Sequence, residues 1–223
     1  MARVTGSERA SDPRGARLPR AARRAQLLGA ADAIFAERGY ASTSMDDVAA
    51  AAEVSKPVLY DHFGSKEGLF AACVELVGDE LTDRIDRAAG GAVGPEDTLR
   101  AASRAYFAFA REQGNVLAVL LDDGPPPAVV LEQVLRIRRR QSDLTIGLLR
   151  DSIEAEGLTI DRHRIEANAH ALIGTYEGLT AWWYDHPEID VEVLTQWFLD
   201  LVWPGLRLLM VQAQAEAAGL DPS

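Results

Sequence analysis

Apolar residues recur at helical spacing through almost every segment from about Arg20 to Val211, and no stretch shows a convincing period-two alternation. That pattern restricts the chain to an all-α fold, because a sheet needs strands whose faces alternate. From about Arg20 to Arg38, Leu27, Ala31, Ile34 and Phe35 stand at i, i+4, i+7 and i+8, with Gly39 behind them as a stop. Ser44-Met45-Asp46-Asp47 is a capping signal for a short helix through about Ala52. Ser55 opens a second short helix in which Pro57 is tolerated, since first-turn N–H groups have no helical partner. It ends near Phe63-Gly64. Ser65 then caps a long helix striped by Leu69, Cys73, Leu76, Val77 and Leu81.

Further helices are expected from about Pro95 to Glu112, over Val116–Leu121, for about 30 residues to Glu156-Gly157, over Asp161–Tyr184, and over Asp190–Val211. Gly90-Gly91 and the Asp122–Pro127 run separate them. About nine helices result. The expected organisation is a basic arm over 1–19, a three-helix DNA-binding unit over 20–66, and a helical ligand-binding and dimerisation domain over 67–215.

The net charge of -11 argues against nucleic acid only as an average. Residues 1–24 hold seven Arg against Glu8 and Asp12, whereas the acidic excess falls in the later two-thirds. On its charge the arm reads as a basic segment whose plainest role is that of a solubilising tail. No apolar run approaches the roughly 20 residues that span a bilayer, and no signal-peptide apolar region is visible. The single cysteine, Cys73, cannot form an internal disulfide. Together these set a cytoplasmic expectation with no membrane partner.

Two short helices joined by a tight turn and preceded by a longer one form a helix-turn-helix. Its second helix presents N-terminal side chains to the major groove of double-stranded DNA. Lys56 suits guanine O6/N7, Val58 a thymine methyl, and Tyr60 and His62 a phosphate or base edge. Pro57 lies on the same face. Lys66 offers a cation and Ser44 a hydroxyl to the backbone, with Arg20 and Arg23 approaching from the first helix.

The residues Phe35-Ala-Glu-Arg-Gly-Tyr40, Ser44-Met-Asp-Asp-Val-Ala49 and Val54-Ser-Lys-Pro-Val-Leu-Tyr-Asp-His-Phe63-Gly-Ser-Lys-Glu-Gly-Leu-Phe70 resemble the DNA-binding domain of the TetR family, in order and without interruption. The remainder resembles that family in length and helical pattern alone. The resemblance implies a homodimeric transcription regulator, usually a repressor, binding a palindromic operator. It also implies a C-terminal domain that takes a small ligand and dimerises through its last two long helices. For the arm, the resemblance implies that part of Arg14–Arg24 can lie in the adjacent minor groove, against the plain reading as a solvated tail. Two residues depart from the pattern. Glu53 stands where the family usually has Gly in the turn, at a cost on the order of 1 kcal/mol if φ is positive. Asp61 places a carboxylate in the recognition helix, where it can accept from cytosine N4 or pair with a cation.

In the acidic domain, Tyr106, Phe107 and Phe109, Leu144 and Leu148, and Tyr176, Trp182 and Trp183 supply aromatic and apolar surface. They read either as core or as the wall of a cavity for a largely apolar or amphipathic effector, with Arg104 for an anionic head. The Arg136, Arg138, Arg139 and Arg140 run is a solvated face or a phosphate site. His163, Glu166 and His170 share one helical face without a fourth metal ligand, so no metal and no cofactor is expected. Leu172, Tyr176, Leu179, Val193, Leu194, Trp197, Phe198 and Leu201 are too apolar together to leave exposed, and a twofold helical interface would bury them. No nucleophile–base order, phosphate loop or metal motif supports an enzyme. A constitutive DNA-binding dimer without an effector is the nearer alternative.

Overall fold

The computed structural model describes residues 19–113 and 128–219, which form eight helices and no strand among them. In chain order these are α1 (Arg20–Ser42), α2 (Met45–Ala51), α3 (Lys56–Phe63) and α4 (Lys66–Gly90). They continue as α5 (Pro95–Glu112), α6 (Ala128–Ala155), α7 (Arg162–Tyr184) and α8 (Val191–Ala217). The basic arm and the short helix expected over Val116–Leu121 fall outside the described residues.

Local chemistry sets the boundaries. Gly39 adopts φ 74° and ψ 165°, so the helical path of α1 breaks where the sequence places its stop, and a short turn carries on to Ser42. Ser44 and Asp47 close a reciprocal capping box at α2. Ser65 accepts from the Gly68 amide at 3.1 Å to start α4. Asp161 takes the amides of His163 and Arg164 at α7, and Asp190 takes that of Glu192 at α8. The last helix runs to Ala217 rather than stopping near Val211, because nothing between them breaks a helix, and it accommodates Pro204 in its interior.

One continuous core runs from the first three helices into the C-terminal bundle. Leu27, Ala31 and Phe35 of α1 meet Val48 of α2, Leu59 of α3, and Leu69, Phe70 and Cys73 of α4, all essentially sealed from solvent. Ile34, Val54 and Phe63 pack on its edge. Each fully buried Leu or Phe contributes on the order of 1.5–3 kcal/mol. Farther on, α4 lies against both α5 and α6, the most extensive helix pairings among the described residues. A Cβ built on Gly78 would stand 2.6 Å from the Ile137 side chain, so glycine is what admits α6 at that distance.

A candidate nucleic-acid interface and the cavity behind it

The turn between α2 and α3 depends on Glu53, whose φ of 53° is the sole positive value outside glycine among the described residues. Its amide donates to the Ala50 oxygen, and the Val54 amide reaches back to Ala49. With that turn set, α3 exposes Lys56, Pro57, Tyr60 and Asp61, while Leu59 is sealed inside. Val58 and His62 are half-buried, and Val58 packs on the core.

Two cations are held by aromatic rings at the edge of this unit. The Lys66 ammonium sits 4.3 Å above the Tyr40 ring, and the Arg24 guanidinium 4.7 Å above Phe63. Tyr40 in turn lies against Phe70, and its hydroxyl reaches the Glu67 carboxylate at 3.4 Å. Lys56 donates to Asp46 at 2.8 Å, a contact that raises its pKa above the ordinary lysine value. Arg23 donates to Gln26 at 2.9 Å, and Arg20 is exposed at the start of α1. Ser44 does not fit its expected phosphate role. Its hydroxyl and its amide both donate to Asp47, at 2.5 and 2.8 Å, so neither remains for DNA while the capping box is closed. Those bonds hold the Asp47 carboxyl below the usual range.

At the opposite end of α4, side chains of α4 to α8 line a cavity that opens to solvent. Ile85, Leu99, Leu144, Leu148, Leu172 and Trp203 form much of its wall, with Tyr106 and Tyr176 between them.

A family model described as bacterial regulatory proteins, tetR family, matches residues 27–73, and one described as Tetracyclin repressor-like, C-terminal domain, matches 95–205. The HTH-type transcriptional activator FasR of Mycolicibacterium smegmatis is 32% identical over 86% of this chain and 87% of its own length. The chain belongs to the TetR family. A TetR-like transcriptional regulator from Rhodococcus sp. RHA1 superposes with a TM-score of 0.64 at 34% identity, covering 86% of this chain and 99% of that one. FadR of Bacillus subtilis, solved with stearoyl-CoA, shares the fold at a TM-score of 0.68 and 17% identity, over 80% and 96% of the two chains. This TetR-family chain is therefore a DNA-binding transcription regulator and not an enzyme.

The aromatic residues expected at the cavity divide in two. Tyr106, Tyr176, Leu144 and Leu148 line it. Phe107 and Phe109 are fully buried beside it, where Phe107 packs edge-on to Phe198 and Arg84 covers Phe109. Trp183 is sealed, with its indole N–H donating to the Ile189 oxygen at 2.9 Å. Trp182 points outward and stacks on His186. Arg104 is exposed and ion-paired with Glu192, so it supplies no head-group contact.

The apolar set expected at a dimer interface also divides. Leu194 and Phe198 are fully buried within the protomer, Phe198 stacked on Tyr176 at 4.2 Å, and Leu172 faces the cavity. Leu179 is half-buried. Val193, Trp197 and Leu201 remain outside, exposed by 43, 49 and 70%, and Leu208 and Val211 continue their stripe along α8. A helix carrying two apolar stripes was too hydrophobic all round for the sequence to separate them.

Along the arginine run on α6, Arg136, Arg138 and Arg139 are exposed and Arg140 is half-buried, and three of the four are ion-paired. Arg136 pairs with Glu75 and Glu132, Arg138 with Glu177, and Arg140 with Asp79, binding α6 to α4 and α7. Glu166 pairs with Arg162, and His163 lies beside Asp161; among the described residues no His, Cys, Asp and Glu side chains converge as metal ligands.

The sequence reading missed Trp203, Leu206, Leu209 and Met210 of α8 in the cavity wall, and Gln141, Thr145 and Ser152 of α6. The signal was present in the three- and four-residue steps from Gln141 through Leu144, Thr145, Leu148 and Leu149 to Ser152.

Proposed function

We propose that this chain acts in the cytoplasm as a homodimeric repressor of a palindromic operator, and that a largely apolar small molecule in the cavity releases it. The observation that carries this reading is the span of α4. Its first turn abuts the end of the recognition helix, where a Cβ on Gly68 would meet the Phe63 oxygen, and Ile85, about five turns later, lines the cavity. An occupant that favours one tilt of α4 therefore favours one setting of α3.

On DNA, Lys56, Pro57, Tyr60 and His62 would meet the major groove, and Lys66, Arg20 and Arg23 the phosphates. Lys56 must exchange Asp46 for a base edge, an inexpensive exchange for an exposed pair. Val193, Trp197 and Leu201, with Leu208 and Val211, would be covered by the same stripe of a second copy, and half-buried Leu179 lies at its margin.

Activation is the second reading, favoured by the name of a relative that spans most of both chains. The distinction lies in where the operator stands relative to the promoter. Selection of bound fragments from the source genome at near-physiological salt, followed by sequencing, tests both. Recovery of one palindrome overlapping a promoter supports repression, and a site upstream of one supports activation. Retention of random DNA alone, lost as salt rises, overturns specific regulation.

A further inference from the structure

We propose that the cavity selects a long-chain ligand bearing an uncharged polar head, an alcohol or an ester, and rejects the corresponding ionised acid. This rests on the effector-binding reading above and names the class of effector.

The wall contributed by α6 interrupts its leucines with Gln141, Thr145 and Ser152. The Thr145 hydroxyl donates to the Gln141 main-chain oxygen at 2.8 Å. The Gln141 amide and the Ser152 hydroxyl have no partner among the described residues. Facing them, Ser103 donates its one proton to the Leu99 oxygen at 2.6 Å, so the Tyr176 phenol, 2.7 Å away, must donate to Ser103. Tyr176 is left with its oxygen as an acceptor. Burial pushes its pKa, and that of Tyr106, far above the ordinary phenol value, so both stay neutral. The cavity thus holds an amide able to donate and accept, a hydroxyl, and a phenol oxygen, set in aliphatic walls.

Its charge is equally defined. Among the described residues no Lys, Arg or His lines the cavity, and the ionisable group there other than the neutral tyrosines is Glu177, paired with Arg138 at 3.3 Å. An entering carboxylate would lose its hydration and find Arg138, the cation whose field reaches Tyr106, already held by the Glu177 carboxylate. An ester carbonyl can accept from the Gln141 amide. An alcohol can also donate to Tyr176 or to the Gln141 oxygen.

Three probes of one chain length test this: 1-dodecanol, methyl dodecanoate and dodecanoate, titrated below their aggregation limits at pH 7.5 against the full chain. Quenching of tryptophan emission, to which Trp203 in the wall contributes, and the thermal midpoint report binding. The neutral probes are expected to bind at least about tenfold more tightly than dodecanoate. Gln141→Arg is expected to reverse that order, an outcome that general damage to the wall would not give. Equal or tighter binding of dodecanoate by the native chain overturns the proposal, as does failure of both neutral probes to bind. Operator binding, measured on the same preparation, is separate. Release by dodecanoate alone overturns the head-group assignment and leaves the regulatory reading intact. Loss of any specific operator overturns that reading, while the order of the three affinities still decides this one.

Discussion

The main-chain oxygen of Phe63 lies 2.2 Å from where a Cβ on Gly68 would stand, so the end of the recognition helix rests on the bare backbone of the following helix. The Ser65 cap, the positive φ of Gly64 and this glycine together set the angle between α3 and α4. Because the obstruction is main chain, it cannot rotate aside. Gly68→Ala should destabilise the protein by about 1–3 kcal/mol and weaken DNA binding further than the stability loss explains. Thermal melts alongside operator titration check it, and an unchanged melting point would mean the seam is more yielding than its geometry.

At the turn, Glu53 holds a conformation that costs an L-residue about 1–2 kcal/mol, while a glycine there would recover that and lose some unfolded-state entropy advantage. Glu53→Gly should therefore be neutral or stabilising by up to about 1 kcal/mol. Glu53→Val, β-branched in the same conformation, should destabilise by about 1–2 kcal/mol. Chemical denaturation of both variants reads the difference. The opposite order would place the strain elsewhere.

Cys73 is enclosed between α1 and α4, and burial pushes its thiol up to about 12. The native protein at pH 8 should leave a thiol reagent unreacted until it unfolds. The sign of the linkage follows from a folded value above the unfolded one of about 8.5. The contribution of this group is complete below about pH 8.5 and falls as pH rises towards 12, because the unfolded chain releases its proton first. Comparing the native chain with Cys73→Ala across pH 8 to 11 isolates it. An identical pH slope in the two would refute the assignment.

Lys66 and Lys56 should fail in different ways on DNA. Lys66→Ala is expected to weaken specific and random DNA alike and to flatten the salt slope by about one charge. Lys56→Ala should lose discrimination between sequences, by about 1–3 kcal/mol at the base it reads. Titrations at several salt concentrations on operator and scrambled DNA separate the two. If the variants behave identically, the division between positioning and reading is wrong.

Trp197 and Leu201 project from α8 and are only partly covered among the described residues. Leu201→Glu should yield monomers in sedimentation while leaving the melt of the isolated protomer nearly unchanged, since that side chain is 70% exposed. Leu194→Glu, by contrast, should abolish folding, because Leu194 is buried within one chain. A dimer surviving the first substitution would place the interface on another face.

The elements were legible where local chemistry decides them. Ser44, Ser65, Asp161 and Asp190 cap helices in the structure, and Gly39 and Pro95 mark ends that a single sequence already shows. The strain at Glu53 was legible too, through the turn residue it replaces. What escaped was direction. Nothing in a helical stripe says whether Trp182 or Trp183 faces inward, or that Arg104 leans to Glu192, because those outcomes depend on which neighbour each face meets. The α8 stripes were merged for the same reason. Ser44 shows a further limit, since a residue suited to two partners had already been taken by the nearer one.

Helix α4 joins the Ser65 cap to Ile85 as one unbroken rod. At 1.5 Å per residue that distance is roughly 29 Å. Treated as a lever pivoting near its cavity end, a tilt of about five degrees displaces the tip by roughly 2.5 Å, close to the full length of a hydrogen bond. Base recognition, which tolerates only a fraction of that, would be lost to a rotation that shifts Gly78, about 10 Å from the pivot, by roughly 0.9 Å.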